Sequence, residues 1–269
     1  MSWGGWQYRH TVLSLCLFAY FATRVGQLSV SPLIPAITDS FDITAGVIGT
    51  ALTGMWAAYA LTQLPSGMLG ARYGERRVIT ATLLLACACT ALMVFAPSAP
   101  FLFISVILLG GSVGLYYNTG TSLLVRQFDD FDQALGIHRV GGPLAGLITP
   151  LLVGTVNIYY GWRPSLSFAV ISPLLIAVLF SWRVDRTPPI LSGTTTWGTD
   201  RYERIAELLA RPDMRFFTIV AGLANFVELS SLTFLLTFLI SFHDVRADYA
   251  NVLFSVYFVV SGTANPLAG

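Results

Sequence analysis

Charge is scarce in this sequence, and lysine is absent. Of the 269 residues, 11% are charged and 55% are hydrophobic, and the mean hydropathy is +0.69. Charged residues make up about a quarter of an ordinary soluble domain, and a soluble protein of this size would be unable to bury so much apolar surface. The net charge of +1 gives no reason to expect a nucleic-acid partner. The composition therefore predicts a protein whose solvent is the lipid bilayer.

Cysteine and histidine are also scarce. Cys16, Cys87 and Cys89 fall inside apolar runs without C-x-x-C spacing, a pattern that excludes a disulfide framework or a zinc site. The histidines lie far apart, at His10, His138 and His243. No nucleophile, base and orienting group cluster at one depth, so we expect no metal, no cofactor and no enzymatic activity.

Long apolar runs take the place of the missing charge. A helix needs about 20 apolar residues to cross the hydrocarbon core, and lipid requires every backbone polar group to be satisfied within the segment. We therefore predict an all-α integral membrane protein. Its eight predicted spans cover residues 12–36, 45–70, 78–96, 101–124, 134–158, 164–182, 215–241 and 249–269. The first run lacks a basic n-region and a cleavage site, so we interpret it as a retained helix.

Arginine is distributed unevenly between the connectors. Twelve arginines lie on one side of the predicted bundle: Arg9, Arg72, Arg76, Arg77, Arg126, Arg139, Arg183, Arg186, Arg201, Arg204, Arg211 and Arg215. The other side has Arg163 and Arg246. Because cytoplasmic loops are enriched in basic residues, we predict a multi-pass protein of the cell membrane with a cytoplasmic N-terminus.

One long connector divides the predicted spans. Residues 1–182 are predicted to form a six-helix transmembrane bundle, residues 183–214 a cytoplasmic linker, and residues 215–269 the first two helices of an incomplete second bundle. Within the linker, Asp200 and Glu203 have the spacing of a capping box, and apolar residues share one face as far as Pro212. This pattern predicts an amphipathic helix on the inner membrane surface.

The stretch GMLGARYGERR connects the second and third spans. Its residues fit the loop signature G-x-L-x-x-R-x-G-x-R-R, at Gly67, Leu69, Arg72, Gly74, Arg76 and Arg77. Together with GGPLAG at 141–146 and YGWRPSLSF at 160–168, this loop resembles the major facilitator superfamily of secondary transporters. In that family the loop works as a conformational latch, and Ala71 stands where an aspartate normally anchors it. The resemblance therefore implies a latch that has lost its usual anion.

The resemblance also implies a fold of typically twelve helices, with two halves related by pseudo-symmetry. The sequence ends in ANPLAG, at the place in the second half that residues 63–67 occupy in the first. Two helices cannot form the opposite wall of such a carrier. We therefore expect a C-terminally truncated member, either a fragment of a longer protein or a truncated reading frame.

Two charges lie deep inside predicted spans. Ionisable residues at mid-membrane are expensive and are functional hypotheses by default, and Arg24 in span 1 and Glu228 in span 7 should face each other across one cavity. We predict that Arg24 binds an anionic group of the substrate, while Glu228 pairs with Arg24 in the empty carrier or takes the coupling proton. The alternative is a permanent ion pair. The predicted substrate-binding residues are Tyr20, Arg24, Gln27, Tyr59, Gln63, Tyr117, Asn118, Asn225 and Glu228.

These features predict transport of a small, anionic organic solute by alternating access, coupled to a proton or ion gradient. One alternative is a drug or metabolite:proton antiporter that acts in efflux, which the Gly-Pro stretch of span 5 suggests. Another is a non-transporting membrane receptor or scaffold. The expected partners are a small-molecule substrate, a coupling proton or ion and the lipid bilayer, with no nucleic acid.

Overall fold

The computed structural model describes residues 7–129, 131–189, 207, 208 and 210–268. Among these residues no strand occurs, which confirms the all-α prediction. Span 1 consists of helix Tyr8–Leu28, the 3-10 turn Ser31–Leu33 and helix Ile34–Phe41. Spans 2 and 3 are the helices Ala45–Tyr73 and Glu75–Val94, and span 4 is made of Ala99–Gly114 and Tyr117–Val125.

The remaining spans follow the same up-and-down order. Span 5 is made of Phe131–Arg139 and Gly141–Tyr160, and span 6 of Trp162–Ser165 and Ser167–Arg183. Span 7 is helix Pro212–Ser241, and span 8 is helix Ala247–Ala268. By length and composition, spans 1 to 7 are able to cross a membrane, and span 8 lies outside that set. Most of the predicted amphipathic helix, residues 200–206 and 209, lies outside the described residues.

Spans 1 to 6 pack around two apolar clusters at different depths. Alternate spans point in opposite directions, so the basic connectors meet at one end of the bundle, here called the basic end, and the other connectors at the opposite end. The cluster near the basic end includes Val12, Cys16, Ile79, Leu83, Leu123 and Phe180. The cluster near the opposite end includes Leu33, Ile37, Ile48, Met55, Met93 and Trp162. In span 1 the first cluster ends at Ala22 and the second begins at Val30, which leaves Arg24 between them, at mid-depth.

Close backbone contact between spans 2 and 4 depends on two glycines. A methyl group at Gly110 would overlap the carbonyl oxygen of Met55, and one at Gly114 would overlap that of Tyr59. Small residues permit such close approach between helices in membranes, where van der Waals packing stabilises association. The glycines therefore fix the height and rotation at which span 2 presents Tyr59.

Spans 7 and 8 pack on the first six spans unequally along their length. Residues 212–228 of span 7 are exposed. Its second half joins spans 1 and 2 at the opposite end, where the Ser31 hydroxyl donates to the Thr233 carbonyl oxygen at 2.8 Å and the Trp56 indole donates to the Thr233 hydroxyl at 3.3 Å. Span 8 lies along span 5, with Asn251 and Phe258 against Gly154 and Gly146. Span 7 thus contacts the bundle at the opposite end and is exposed toward the basic end.

Candidate functional site

Arg24 is the centre of a polar cluster at mid-depth. Its Nε and Nη2 atoms donate to the Tyr20 hydroxyl at 3.2 and 3.1 Å, its Nη1 donates to Gln27 Oε1 at 3.0 Å, and Nη2 also donates to the Tyr59 hydroxyl at 3.4 Å. The guanidinium carbon lies 5.3 Å from the ring centroid of Tyr20 and 5.4 Å from that of Tyr59. Every one of these partners is neutral, so the cluster keeps the full positive charge of the guanidinium.

Helical spacing and glycine packing bring these side chains together. Tyr20 and Gln27 stand four and three residues from Arg24, so all three lie on one face of span 1. Tyr59 comes from span 2. Behind Tyr20, span 5 approaches span 1 at Gly141, where a methyl group would overlap the span 1 backbone at Leu17. The structure thus brings three of the predicted side chains, those of Tyr20, Gln27 and Tyr59, into contact with Arg24.

Three further predicted residues line the same region. Tyr117 lies beside Tyr20, with 5.6 Å between ring centroids, and its hydroxyl accepts a hydrogen bond from Arg139 Nε at 3.0 Å. Asn118 donates from Nδ2 to the backbone carbonyl oxygen of Gln63 at 2.7 Å. Asn118 therefore ties span 4 to span 2 one turn beyond Tyr59.

The predicted residues of span 7 stand apart from this cluster. Asn225 donates to the Ala221 carbonyl oxygen of its own helix at 2.9 Å, and both Asn225 and Glu228 are exposed. Among the described residues the ion pairs are Arg126–Glu75 and Arg246–Asp248, so Arg24 has no carboxylate partner within that part of the chain. Glu228 acts on the guanidinium only at longer range. The structure thus has Arg24 unpaired, and in it the alternative of a closed ion pair with Glu228 is not formed.

The loop between spans 2 and 3 turns at Gly74. This residue has φ of 83°, in the left-handed region that favours glycine. Its missing side chain leaves room for Thr187, whose hydroxyl accepts from the Arg76 backbone N–H at 3.1 Å, and Nη2 of Arg76 donates to the Ser181 carbonyl oxygen. The signature loop is therefore held against the end of span 6 and the chain that follows it.

The other signature residues surround this turn. Gly67 faces Asn118 of span 4, Leu69 is half-buried, and Arg72 stacks on Tyr73 with 5.4 Å between guanidinium carbon and ring centroid. Arg76 and Arg77 line a cleft of about 210 Å³ together with Arg186 and residues 187–189. Three arginines thus converge at the basic end.

Sequence reasoning missed a buried ion pair beside this loop. Glu75 is completely buried, and its carboxylate oxygens accept from Arg126 Nη1 at 3.1 and 3.0 Å and from the Ser122 hydroxyl at 3.3 Å. Arg126 also donates to the Pro188 carbonyl oxygen at 3.2 Å. The pair joins the start of span 3, the end of span 4 and the segment after span 6, and its partners lie too far apart in sequence for a spacing argument.

Sequence reasoning also missed His138. The histidine sits in a buried aromatic cluster that includes Tyr20, Tyr116 and Tyr117. The available signal was the one that identified Arg24 and Glu228, an ionisable side chain within an apolar span. Helical spacing gives His138 no partner histidine, so the sequence pattern did not identify it as a site residue.

One protein family matches nearly the whole length of the chain. The sequence model of the Major Facilitator Superfamily matches residues 16–269. A probable sulfoacetate transporter, SauU of Cupriavidus necator, is 26% identical over 157 residues, which cover 58% of this chain and 36% of that protein. The hexuronate transporter of Bacillus subtilis is 27% identical over 185 residues, which cover 65% of this chain and 43% of that protein.

The fold is also that of a solved transporter. A bacterial homologue of the human lysosomal transporter Spinster, in an inward-facing and occupied conformation, matches with a TM-score of 0.76 and 16% identity, covering 98% of this chain and 61% of that one. This likeness concerns the fold alone. In each comparison the chain spans less than two thirds of the matched protein.

Proposed function

Because the chain belongs to the major facilitator superfamily and is a multi-pass membrane protein, we propose that it forms part of a secondary transporter that binds a small anionic organic solute at Arg24. The observation that carries this proposal is a mid-depth guanidinium surrounded only by neutral acceptors. A buried charge without a counter-ion is costly. An anionic solute would supply the missing charge.

The chemistry of the guanidinium fits this class of solute. Arg24 has five N–H donors in a planar fork that matches carboxylates and other oxyanions. The contacts to Tyr20, Gln27 and Tyr59 hold the fork in place without cancelling its charge. The names of two relatives support an acidic solute, since sulfoacetate carries a sulfonate and a carboxylate and a hexuronate carries a carboxylate.

We propose that the protein lies in the plasma membrane, with its basic end facing the cytoplasm. The positive-inside rule supports this assignment. With that orientation, the contacts of span 7 at Ser31 and Trp56 close the outer end of the chain described here. The structure would then represent a stage of alternating access in which the outer end is closed.

Glu228 is proposed as a coupling group on the facing wall. It stands on span 7, exposed and at longer range from Arg24, so protonation or approach to Arg24 would alter the field across the cavity. In Glu228→Gln, proton-driven uptake should fail while solute exchange survives. Unchanged gradient-driven uptake in that variant would remove Glu228 from the coupling role.

The signature loop is proposed as the conformational latch. Its contacts with Thr187 and Ser181 hold it against the end of span 6 and the chain that follows it. With alanine at position 71 the loop has no anion there to interact with a helix N-terminus, an interaction worth about 0.3–1 kcal/mol. We expect a latch that holds the outward-open state weakly.

The binding proposal is tested with the complete natural polypeptide in proteoliposomes and with sulfoacetate and galacturonate as probes. Arg24→Gln should abolish binding and counterflow, and Arg24→Lys should weaken binding about tenfold or more, since the fork that orients an oxyanion is lost. Arg246→Gln is the matched control, because Arg246 is an exposed arginine at the opposite end.

Each outcome distinguishes the proposal from its rivals. Full counterflow by Arg24→Gln would refute anion binding at this residue. Binding of apolar cations that depends on Glu228 and is indifferent to Arg24 would favour an exporter of drugs or metabolites. Solute binding without counterflow in the wild-type protein would favour a receptor or scaffold.

A further inference from the structure

His138 is completely buried within the membrane-spanning bundle. It belongs to span 5, two residues before the break at Val140 that separates the two helices of that span. Its ring stacks on Tyr20 with 5.1 Å between centroids and on Tyr116 with 5.8 Å, at interplanar angles of 18° and 19°. A polar ring is thus enclosed between two aromatic faces at the back of the Arg24 cluster.

The hydrogen bonds of Tyr116 assign the tautomer of His138. The Tyr116 hydroxyl lies 2.5 Å from the backbone carbonyl oxygen of Cys16 and 3.3 Å from His138 Nε2. A carbonyl oxygen only accepts, so the single hydroxyl proton goes to Cys16. The Tyr116 oxygen must then accept the other hydrogen bond, and His138 Nε2 carries the ring proton.

This assignment leaves the other ring nitrogen with a bare lone pair. In the neutral imidazole only one nitrogen is protonated, so Nδ1 is an acceptor. That atom is buried and has no hydrogen-bond partner among the described residues. Buried polar atoms are almost always paired, and each exception calls for an explanation.

Among the described residues, the surroundings of His138 contain no carboxylate that would hold it as a permanent cation. Span 1 contributes Tyr20 and Cys16, span 4 contributes Tyr116 and Tyr117, and the adjacent residue on its own helix is Arg139, bound to the Tyr117 hydroxyl. The near end of the second helix of span 5 is GGPLAG, which has no titratable side chain. The neutral imidazole is therefore the resting form, and a proton is the ligand that Nδ1 lacks.

We propose that His138 Nδ1 binds a proton that is taken up together with the anionic solute at Arg24. This inference rests on the proposed function and assigns its coupling proton to a residue of span 5. The proton adds to the lone pair of Nδ1 from a hydronium ion, which is left as water, and no other bond is made or broken. The result is an imidazolium that keeps its Nε2–H bond to Tyr116.

Tyr20 provides the connection between the two sites. Its ring stacks on His138, and its hydroxyl accepts two hydrogen bonds from Arg24. A second cation next to an uncompensated guanidinium is disfavoured by like-charge repulsion, and an anion bound at Arg24 removes that repulsion. Proton and anion therefore bind cooperatively, and by linkage each increases the affinity for the other by the same factor.

Cooperative binding of a proton and an anion produces symport in the same direction. The role differs from that of Glu228, whose protonation would remove a negative charge from the facing wall rather than add a positive charge beside Arg24. The two sites are separable in Glu228→Gln, where the pH dependence of anion binding that remains, in the absence of any gradient, should be lost when His138 is also replaced.

The proton site is tested directly by ¹⁵N NMR of histidine-labelled protein in lipid nanodiscs, without added solute. At about pH 8, His138 should show one protonated and one bare ring nitrogen, with the proton on Nε2, and below about pH 4 both should be protonated. His138→Gln identifies the signals by their loss, and Tyr116→Phe identifies them by a shift while the imidazole stays. His243→Gln is the matched control, since His243 packs on Phe238 and Phe242 at the opposite end.

Coupling is tested by the affinity for sulfoacetate at the same two pH values. We expect about tenfold tighter binding at the lower pH in Glu228→Gln and in Glu228→Gln combined with His243→Gln, and no pH dependence in Glu228→Gln combined with His138→Gln. An Nδ1–H tautomer, or a ring that stays neutral with anion bound, would overturn the proposal. If sulfoacetate and galacturonate both fail to bind at any pH while His138 still titrates, the fault lies in the proposed solute class and not in the proton site.

Discussion

Replacing one partner of the buried ion pair between Glu75 and Arg126 should destabilise the protein by an amount that depends on which partner is replaced. Glu75 is fully buried, whereas the Arg126 side chain is 30% exposed. In Arg126→Gln the carboxylate loses its counter-ion and keeps only the Ser122 hydroxyl and the N–H groups at the start of the helix. In Glu75→Gln the arginine loses its partner but remains within reach of water. The first change should therefore destabilise the protein more than the second.

The magnitude follows from the burial of each partner. Breaking a buried ion pair costs about 3–5 kcal/mol when one charge is left uncompensated. The Ser122 hydroxyl and the helix N-terminus still stabilise the carboxylate, so we expect Arg126→Gln to lower the free energy of unfolding by about 3 kcal/mol, the lower end of this range. For a chain of this size, that loss corresponds to a decrease of about 6–12 °C in the unfolding midpoint. Glu75→Gln should cost about 1–2 kcal/mol, because a partly exposed guanidinium can be hydrated. The double variant should be more stable than Arg126→Gln alone, since it has no buried carboxylate.

Thermal unfolding of the detergent-solubilised protein, followed by intrinsic fluorescence, measures all three variants. Arg246→Gln is the control, because the Arg246–Asp248 pair has side chains that are 74% and 48% exposed and such surface pairs contribute about 0–1 kcal/mol. Equal losses for Glu75→Gln and Arg126→Gln would refute the argument from burial. A double variant whose loss equals the sum of the single losses would show that the two charges do not interact.

Two further predictions concern the cavity and its closure. Tyr20→Phe should weaken anion binding about tenfold, since it removes the acceptor of two guanidinium N–H groups. Tyr59→Phe should weaken anion binding less than about threefold, because the contact between Tyr59 and Arg24 is 3.4 Å long. Equal effects of the two variants in a binding assay would contradict the assigned geometry. Cysteines at Ser31 and Thr233, in a background without the native cysteines, should form a disulfide that abolishes transport, keeps solute binding and is reversed by reductant. Transport by the cross-linked protein would show that the outer contact need not open.

The spans were predictable because hydropathy and length decide them, and prolines such as Pro32, Pro35 and Pro143 allow bends within them, but the exact geometry of each break was not predictable. The first predicted span, 12–36, is shorter than the corresponding unit in the structure, which continues after the turn Ser31–Leu33 as far as Phe41. Span 5 is interrupted at Val140, three residues before Pro143, which has no N–H to donate to the Arg139 carbonyl oxygen. Such interruptions depend on how neighbouring helices meet, and one sequence does not reveal those contacts.

The Arg24 cluster was predictable in part for the same reason. Tyr20 and Gln27 follow from helical period, and Tyr59 is one of the polar residues that the sequence places in span 2. Glu75 with Arg126, and His138 with Tyr116, are pairs between spans whose partners are 51 and 22 residues apart. Their meeting depends on the register between helices, which side-chain packing and glycine contacts determine.

The paired charges at the basic end and the unpaired charge of Arg24 at mid-depth fit two different roles. At the basic end Arg126 neutralises Glu75 at a junction of three chain segments, so a charge there helps to hold the bundle together. At mid-depth Arg24 is held by phenol and amide oxygens that orient it and leave its charge intact. A permanent pair with Glu228 would stabilise the empty protein, but an incoming anion would have to break that pair, and its binding energy would be offset by the loss. For the anionic solute proposed above, an Arg24 without a carboxylate partner among the described residues would keep its full electrostatic attraction.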